Sequence, residues 1–267
     1  MSGKLSEQVA IVTGSSSGNG RAIALALYGA GAAIVCADLH KNAASGGYEE
    51  DLSTDTDDLI RSSGGRADFV SVDVRKAAEV EALVAKAVSD FGRLDIMVNN
   101  AGVFTGLHTI LDETEEQYDF TMAVNGKGVW LGCKYAIRQM MRQQPIATGS
   151  RGKIINIASI GGLVGLAEEP AYCASKGMVV NLTRQLAIDF AQHRINVNAI
   201  CPGYLATAMV RPFLDNPETN KLIHEATPWP RVGKAEDVAN CALFLASGDS
   251  EWISGSMITV DGAFTAR

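Results

Sequence analysis

Short apolar runs alternate with longer amphipathic stretches along the whole chain. Each short apolar run predicts a buried strand, and each stretch with apolar residues three or four positions apart predicts a helix. The predicted strands cover residues 9–12, 33–37, 67–72, 95–98, 153–158, 195–200 and 257–260. The predicted helices cover residues 18–29, 57–63, 77–91, 115–142, 171–191 and 235–246.

Strands that alternate with helices are typical of βαβ units, which build parallel sheets. Because β–α–β crossovers are right-handed, the pattern predicts an α/β fold with a doubly wound, Rossmann-type parallel sheet of about seven strands and helices on both faces. The chain contains no long low-complexity linker and no internal repeat, so we expect one domain over residues 1–267.

A sheet of this kind binds its ligand beyond the carboxyl ends of the strands, where the strand order reverses. Small or polar residues follow the predicted strands at these ends: Gly14, Asp38, Asp73, Asn100, Ser159 and Pro202. Although they are far apart in sequence, we expect them to line one edge of the sheet.

Composition narrows the class of protein. Apolar residues make up 47% of the chain, which supports a large core, and the net charge of −7 gives no general attraction to nucleic acid or to anionic membranes. No apolar run approaches the roughly 20 residues that a membrane span needs, and the polar residues 1–8 leave no room for a signal peptide. The five cysteines form no C-x-x-C pair and the four histidines show no ligand spacing. We therefore expect a soluble, cytoplasmic protein without a protein-held catalytic metal.

A glycine-rich turn joins the first predicted strand to its helix. Residues 13–20 read Thr-Gly-Ser-Ser-Ser-Gly-Asn-Gly, and glycines there permit a tight turn and a close approach of a pyrophosphate to the helix N-terminus. Asp38 ends the second strand, where a carboxylate can accept hydrogen bonds from both hydroxyls of an adenine ribose. Because this carboxylate would repel a 2′-phosphate, we expect NAD rather than NADP, although the nearby His40 and Lys41 leave NADP open. The alternative interpretation of Asp38 is a turn-forming acid after a strand.

Tyr172 and Lys176 stand four residues apart at the start of a predicted helix and therefore share one face. A phenol with a pKa of about 10 is a poor base at neutral pH, and a nearby ammonium lowers that pKa. A pair with this spacing also arises by chance, so the pair alone is weak evidence. Its weight comes from Ser159, which lies a short loop away and could hydrogen-bond the same substrate oxygen.

Taken together, these motifs resemble those of the compact short-chain dehydrogenases/reductases, in the order of that family and over nearly the whole chain. The motifs are residues 13–20, Asn99-Asn100-Ala101-Gly102, Asn125, Ser159, Tyr172-x-x-x-Lys176 and Pro202-Gly203. The resemblance implies an oxidoreductase that interconverts a secondary alcohol and a ketone by hydride transfer with a nicotinamide cofactor.

The resemblance also implies a role for each catalytic residue. Tyr172 would be the general acid/base, and Lys176 would lower its pKa and bind the nicotinamide ribose. Ser159 would polarise the substrate carbonyl, and Asn125 would hold a water that links Lys176 to solvent. Asn99 is expected to stabilise the sheet.

The cofactor would be bound by residues from every strand end of the predicted edge. The implied contacts are Gly14, Ser16, Gly18, Asn19, Gly20, Asp38, Asp73, Val74, Asn100, Ala101, Gly102, Tyr172, Lys176, Pro202, Gly203, Leu205 and Thr207. Asn19 departs from the family, which usually has an apolar residue there. The insertions 39–56 and 143–152 are expected to be surface loops away from the reacting centre. The resemblance further implies a homotetramer in which helices 115–142 and 171–191 pack between subunits.

The substrate is expected between segments 103–109, 160–170 and 204–230, the last of which reads as a proline-containing lid. Their large side chains are mostly apolar: Phe104, Leu163, Val164, Leu166, Met209, Phe213 and Trp229. Glu168 and Glu169 either bind substrate hydroxyls or an amine, or are solvated residues at the start of a helix. Our hypothesis is a ring-bearing or hydroxylated secondary alcohol, or its ketone. Two alternatives remain: a catalytically silent dinucleotide-binding regulatory module, and an enoyl reductase, whose families space the Tyr and Lys further apart.

Overall fold

A computed structural model describes residues 3–266 of the chain. The strands are β1 (Val9–Thr13), β2 (Ala33–Asp38), β3 (Ala67–Ser71), β4 (Ile96–Asn99), β5 (Gly152–Ile157), β6 (Ile195–Pro202), β7 (Leu205–Ala206), β8 (Gly233–Lys234) and β9 (Met257–Val260). The helices are α1 (Gly18–Gly29), α2 (Thr56–Ser62), α3 (Ala77–Phe91), α4 (Glu115–Thr121), α5 (Val129–Met140), α6 (Pro170–Phe190), α7 (Arg211–Asp215), α8 (Pro217–Ala226) and α9 (Ala235–Ala246).

Seven strands form one parallel sheet in the order β3-β2-β1-β4-β5-β6-β9. The chain first adds strands on one side of β1 and then crosses to the other side at β4, so the strand order reverses between β1 and β4. This confirms the predicted doubly wound, Rossmann-type sheet. Strands β7 and β8 form a separate small parallel pair.

Helices cover both faces of the sheet because successive strand residues point to opposite sides. Ile11 packs into a cluster with apolar residues of α3, α5 and α6, whereas its neighbour Val12 packs with those of α1, α2 and α9. Since both faces are buried, the central strands are apolar throughout, which is the pattern that made them recognisable in the sequence.

The predicted helix over residues 115–142 is wrong as a single α-helix. A capping box between Thr114 and Gln117 starts α4, but the chain passes through a π-helical segment, Met122–Gly128, before α5 begins. The wider π turn carries Asn125, which is fully buried. Glycine at position 128 lets this segment pack closely on the connection between β3 and α3, since a Cβ there would lie 2.9 Å from the Val74 Cγ2.

The segment predicted as a proline-containing lid is largely regular structure. It contains β7, α7 and α8, and the Asn216 side chain caps α8 by accepting hydrogen bonds from the N–H groups of Glu218 (2.9 Å) and Thr219 (3.3 Å). Among the residues that the structure describes, none of the helices combines the length and the apolar character that crossing a membrane requires.

Candidate active site

A cleft of about 370 Å³ opens at the carboxyl edge of the sheet, beside the reversal between β1 and β4. Most of the predicted site residues line it: Gly14, Gly18, Asn19, Asp38, Asp73, Val74, Asn100, Ala101, Gly102, Ser159, Tyr172, Lys176, Pro202, Gly203, Leu205 and Thr207. Ser16, Gly20 and Asn125 do not line the cleft and lie behind its wall. The chain thus brings together residues that are nearly 200 positions apart.

The glycine-rich turn needs its glycines for space and for backbone conformation. Gly14 and Gly18 have φ angles of 65° and 54°, which residues with a Cβ rarely adopt. A Cβ on Gly20 would overlap the carbonyl oxygen of Gly14, so the helix could not start so close to the turn. The Asn100 side chain holds the turn against the end of β4 by donating to the carbonyl oxygens of Thr13 (2.8 Å) and Gly14 (3.1 Å).

Asp38 is fixed at the end of β2 by backbone donors. Its carboxylate accepts hydrogen bonds from the N–H of Ser16 (3.1 Å) and the N–H of Leu39 (2.8 Å). The buried Ser16 hydroxyl donates to the carbonyl oxygen of His40 (2.7 Å). Ser16 therefore positions Asp38 and the start of the following loop, instead of lining the cleft as expected.

The insertion 39–56 lies closer to the site than the sequence suggested. The backbone N–H of Gly18, at the first turn of α1, donates a hydrogen bond to the Glu49 carboxylate. The buried Arg21 guanidinium donates to the carbonyl oxygens of Asp51 (2.6 Å) and Thr54 (2.8 Å). The loop is thereby anchored on the helix that starts at the glycine-rich turn.

The same insertion also contacts α7. The Arg211 guanidinium lies 4.3 Å from the centre of the Tyr48 ring and donates to the carbonyl oxygen of Gly47 (3.3 Å). One loop therefore connects the glycine-rich turn to the helix beside Met209 and Val210, both of which line the cleft. No periodicity in residues 39–56 signalled these contacts, because they join side chains to distant backbone groups.

Ser159, Tyr172 and Lys176 meet at the inner end of the cleft. Ser159 follows β5; its Oγ accepts a hydrogen bond from the N–H of Gly161 (3.1 Å), and its side chain faces Tyr172. Helix α6 begins at Pro170, so Tyr172 and Lys176 lie in its first turns on one face. The Lys176 ammonium donates to the carbonyl oxygen of Ile157 (2.9 Å) and lies 5.7 Å from the centre of the Tyr172 ring.

Burial dominates the electrostatics of these groups. It raises the pKa of Tyr172 to about 12, although the hydrogen bond with Ser159 acts in the opposite direction. Burial also lowers the pKa of Lys176 to about 8, because a charged ammonium loses hydration there. Burial thus outweighs the effect of Ser159, and the expected lowering of the Tyr172 pKa by Lys176 stays a prediction.

Asn125 is held by Val103 in the loop after β4 and also donates to the Ser175 Oγ of α6 (3.4 Å). Its side-chain oxygen accepts from the N–H of Val103 (2.8 Å), and its side-chain nitrogen donates to the Val103 carbonyl oxygen (2.9 Å). A Cβ on Gly102 would lie 3.3 Å from the Asn125 Oδ1 and 3.7 Å from the Lys176 Nζ. Asn125 and Lys176 thus flank the same glycine, while the water relay between them stays a prediction. The buried Asn99 side chain donates to the Asn156 Oδ1 (2.8 Å), between β4 and β5.

A side pocket of about 80 Å³ adjoins the reacting groups. It is lined by Phe104, Ser159, Ile160, Leu166, Glu169, Tyr172, Gly203, Tyr204, Met209, Val210 and Phe213. The Phe104 ring contacts the Tyr172 ring edge-on, with centres 5.6 Å apart. Of the side chains predicted for the substrate region, Leu163, Val164 and Trp229 do not line this pocket. Glu169 lines it, whereas Glu168 is exposed outside.

An acidic cluster that a metal ion could in principle occupy lies at the start of α2. The carboxylates of Asp55, Asp57 and Asp58 converge there, and Lys41 forms ion pairs with all three at 2.8–3.5 Å. Arg61 adds an ion pair with Asp57 (2.8 Å). Two cations thus offset most of the charge of the three carboxylates, and the expectation of no catalytic metal stays a prediction.

Comparison with known proteins places this geometry among dehydrogenases. A family model described as "Enoyl-(Acyl carrier protein) reductase" matches residues 14–265. The chain is 37% identical to 2-(R)-hydroxypropyl-CoM dehydrogenase of Xanthobacter autotrophicus, over 97% of this chain and 99% of that protein. It is 33% identical to cyclopentanol dehydrogenase of a Comamonas species, over 99% and 100%. A crystal structure of a putative 2-deoxy-d-gluconate 3-dehydrogenase from Agrobacterium tumefaciens with bound NADP is similar, with a TM-score of 0.85, 33% identity and 98% of each chain covered.

Proposed function

The chain belongs to the short-chain dehydrogenase/reductase family, and we propose that it is an NAD-dependent enzyme that interconverts a secondary alcohol and a ketone. One observation carries this proposal: the Ser159 hydroxyl, the Tyr172 hydroxyl and the Lys176 ammonium meet in a cleft that also contains the glycine-rich turn and Asp38. Hydride transfer requires that the reacting groups and the dinucleotide-binding residues lie in one cleft.

The residues of the cleft fit a nicotinamide dinucleotide. Gly14 and Gly18 line the cleft at the turn before α1, where a diphosphate would approach the helix start. Asp38, Thr207 and Gly203 also line the cleft; Asp38 would bind the adenine ribose hydroxyls, and Thr207 and Gly203 would bind the nicotinamide. When bound, the cofactor supplies or accepts the hydride at its nicotinamide ring.

NAD is the preferred form because Asp38 would repel a 2′-phosphate, and the nearby cations are engaged elsewhere. Lys41 is paired with the acidic cluster, and Arg75 with the carboxylate of Asp73 (2.8 Å). The NADP-bound relative shows that the fold also accepts the phosphorylated form in another sequence. A Michaelis constant for NADP⁺ below that for NAD⁺ would contradict this preference.

The chain's own residues provide orientation and proton transfer. Ser159 and Tyr172 hold the substrate oxygen with their hydroxyls, since both residues line the cleft and the side pocket that adjoins it. In oxidation Tyr172 removes the hydroxyl proton, and in reduction it returns the proton to the nascent alkoxide. Lys176, fixed by the Ile157 carbonyl oxygen, provides the positive charge that stabilises the tyrosinate. Asn125 holds the water through which Lys176 exchanges its proton with solvent.

The substrate is a ring-bearing or hydroxylated secondary alcohol, or its ketone. The side pocket beside Tyr172 is walled mainly by apolar side chains, including the rings of Phe104 and Phe213. The names of similar proteins range from cyclopentanol dehydrogenase to 2-dehydro-3-deoxy-D-gluconate 5-dehydrogenase, so they support the reaction class but not one substrate.

Two other functions fit the residues less well. A silent dinucleotide-binding module has no need for reacting groups, whereas Asn125, Ser159, Tyr172 and Lys176 are all retained here. An enoyl reductase is named in the description of the family model, but the Tyr and Lys stand four residues apart, the spacing of the alcohol dehydrogenases.

The protein acts as a cytoplasmic homotetramer. Apolar side chains are exposed on the helices expected between subunits: Tyr118 and Trp130 on α4 and α5, and Met178 and Ile188 on α6, the last 78% exposed. Covering these side chains would stabilise an assembly. All five cysteines are free, as in a reducing compartment. A monomeric mass by light scattering would contradict the tetramer.

The experiment that tests the function follows NADH absorbance with a panel of cyclic, aromatic and polyol alcohols and their ketones, each with NAD(H) and NADP(H). Tyr172→Phe is assayed beside the wild type, and NADH binding to both is measured by fluorescence. Turnover with NAD(H) that falls about 10³-fold or more in the variant, with NADH binding retained, supports the proposal. Retained NADH binding without any turnover in the wild type favours the silent module.

A further inference from the structure

Glu169 brings a carboxyl group into the mainly apolar side pocket beside the reacting tyrosine. It precedes α6 directly, and its side chain lines the pocket together with Phe104, Leu166 and Phe213. The neighbouring Glu168 has a φ angle of 60°, and this turn of the backbone leaves it exposed while Glu169 faces the pocket.

No group of the protein neutralises this carboxyl. Within residues 3–266, neither a hydrogen bond nor an ion pair engages the Glu169 side chain. The titratable groups that face it are Tyr172 and Cys173 on α6 and Tyr204 after β6, and none of them is a cation. Burial therefore raises the pKa of Glu169 to about 7.

A half-buried carboxyl without a protein partner is available to accept a hydrogen bond from a ligand in the pocket. Ser159, Tyr172 and Glu169 line the same pocket. When Ser159 and Tyr172 hold the reacting oxygen, the substrate atom next to the reacting carbon would lie near the Glu169 carboxyl. A hydrogen-bond donor at that position is stabilised, while an anionic group is repelled.

We propose that Glu169 is a specificity-determining residue that binds a second hydrogen-bond donor of the substrate, a hydroxyl or an ammonium beside the reacting carbon, and excludes substrates with an anion there. The inference rests on the proposed function, because it takes the reacting carbon to lie between Ser159 and Tyr172. It narrows the substrate to a vicinal diol or amino alcohol, or to the corresponding ketone.

Four alcohols that share one ring test this specificity: cyclohexanol, trans-cyclohexane-1,2-diol, 2-aminocyclohexanol and 2-hydroxycyclohexanecarboxylate. For the wild type with NAD⁺, kcat/KM for the diol or the amino alcohol should exceed that for cyclohexanol by about tenfold or more, and the carboxylate should be the poorest substrate. A larger value for the amino alcohol identifies the ammonium as the preferred donor, and a larger value for the diol identifies the hydroxyl.

Glu169→Gln keeps the shape of the side chain and removes its charge, and Glu168→Gln is the matched control outside the pocket. Glu169→Gln should reduce the preference for the donor-bearing substrate over cyclohexanol about tenfold, mainly through KM, and should raise kcat/KM for the carboxylate. The control variant should keep the wild-type ratios. Unchanged ratios in Glu169→Gln, with cyclohexanol still oxidised, would overturn the inference and leave the proposed function standing. No turnover of any alcohol by the wild type would overturn both.

The pH dependence provides a readout that a purely structural role would not change. The ratio of kcat/KM for the diol to that for cyclohexanol cancels the titration of the shared reacting groups. This ratio should rise between pH 6 and pH 8 in the wild type, because ionised Glu169 accepts hydrogen bonds more strongly. In Glu169→Gln the ratio should be flat, and a rise of the same size there would contradict the role of Glu169.

Discussion

The Glu49 carboxylate accepts a hydrogen bond from the backbone N–H of Gly18, at the first turn of α1. Free N–H groups at a helix start are the donors that bind anionic groups such as a diphosphate. Within the described part of the chain, the second carboxylate oxygen of Glu49 is buried without a hydrogen-bond partner. The Glu49 carboxylate thus lies at the helix start where the diphosphate of the proposed cofactor would bind.

Replacing Glu49 with Gln should therefore tighten dinucleotide binding. The variant removes a negative charge next to the diphosphate, and we expect the Kd for NADH to fall about tenfold, which is about 1.4 kcal/mol. Fluorescence titration of NADH measures the effect, with Glu50→Gln, at the exposed neighbouring position, as the control. Weaker binding in Glu49→Gln would instead mean that Glu49 orders the loop that covers the cofactor.

Asp38 should control the choice between the two nicotinamide cofactors. Asp38→Asn removes the charge that opposes a 2′-phosphate and keeps the size of the side chain. We expect the ratio of the Michaelis constants for NADP⁺ and NAD⁺ to fall about tenfold. A wild-type preference for NADP⁺ would contradict this prediction. Lys41→Gln would then test whether Lys41 binds the 2′-phosphate instead of the Asp55, Asp57 and Asp58 carboxylates.

The pH profile of alcohol oxidation should depend on Lys176. Burial keeps the pKa of Tyr172 high, and the proposed role of Lys176 is to oppose this effect with a positive charge beside the tyrosine. Lys176→Met removes that charge, so the tyrosinate forms only at higher pH, and the rise of kcat/KM should move to higher pH by about one unit or more. Profiles between pH 6 and pH 10 test the shift. Lys127→Met, at an exposed position of the π-helical segment, should leave the profile unchanged.

Gly132 is required by the packing of α5 on the sheet. A Cβ there would overlap the Asn99 side-chain oxygen, whose amide nitrogen bonds Asn156 in the core. Gly132→Ala should lower the free energy of unfolding by about 1–3 kcal/mol in urea titrations. Gly29→Ala at the exposed end of α1, where a Cβ meets no neighbour within 4 Å, should leave stability unchanged or raise it slightly. Equal stability of the two variants would contradict this packing role.

Much of the site was predictable because its residues stand at strand ends. Asp38, Asn100 and Ser159 each follow an apolar run, and a parallel sheet brings all its carboxyl ends to one edge. The π-helical turn that buries Asn125 was not predictable, since the surrounding sequence keeps a helical pattern and the contacts of this turn with Val74 and Val103 are tertiary.

The sequence by itself determined the order of strands and helices, the glycine-rich turn and the pairing of Tyr172 with Lys176, because these depend on local periodicity and on spacing along one helix. Only the tertiary structure decided that Glu49 contacts Gly18, that Arg211 ties the same loop to α7, and that Glu169 but not Glu168 enters the side pocket. Such contacts join backbone and side-chain groups from separate parts of the chain. Their energies depend on burial and geometry in three dimensions, which no local pattern records.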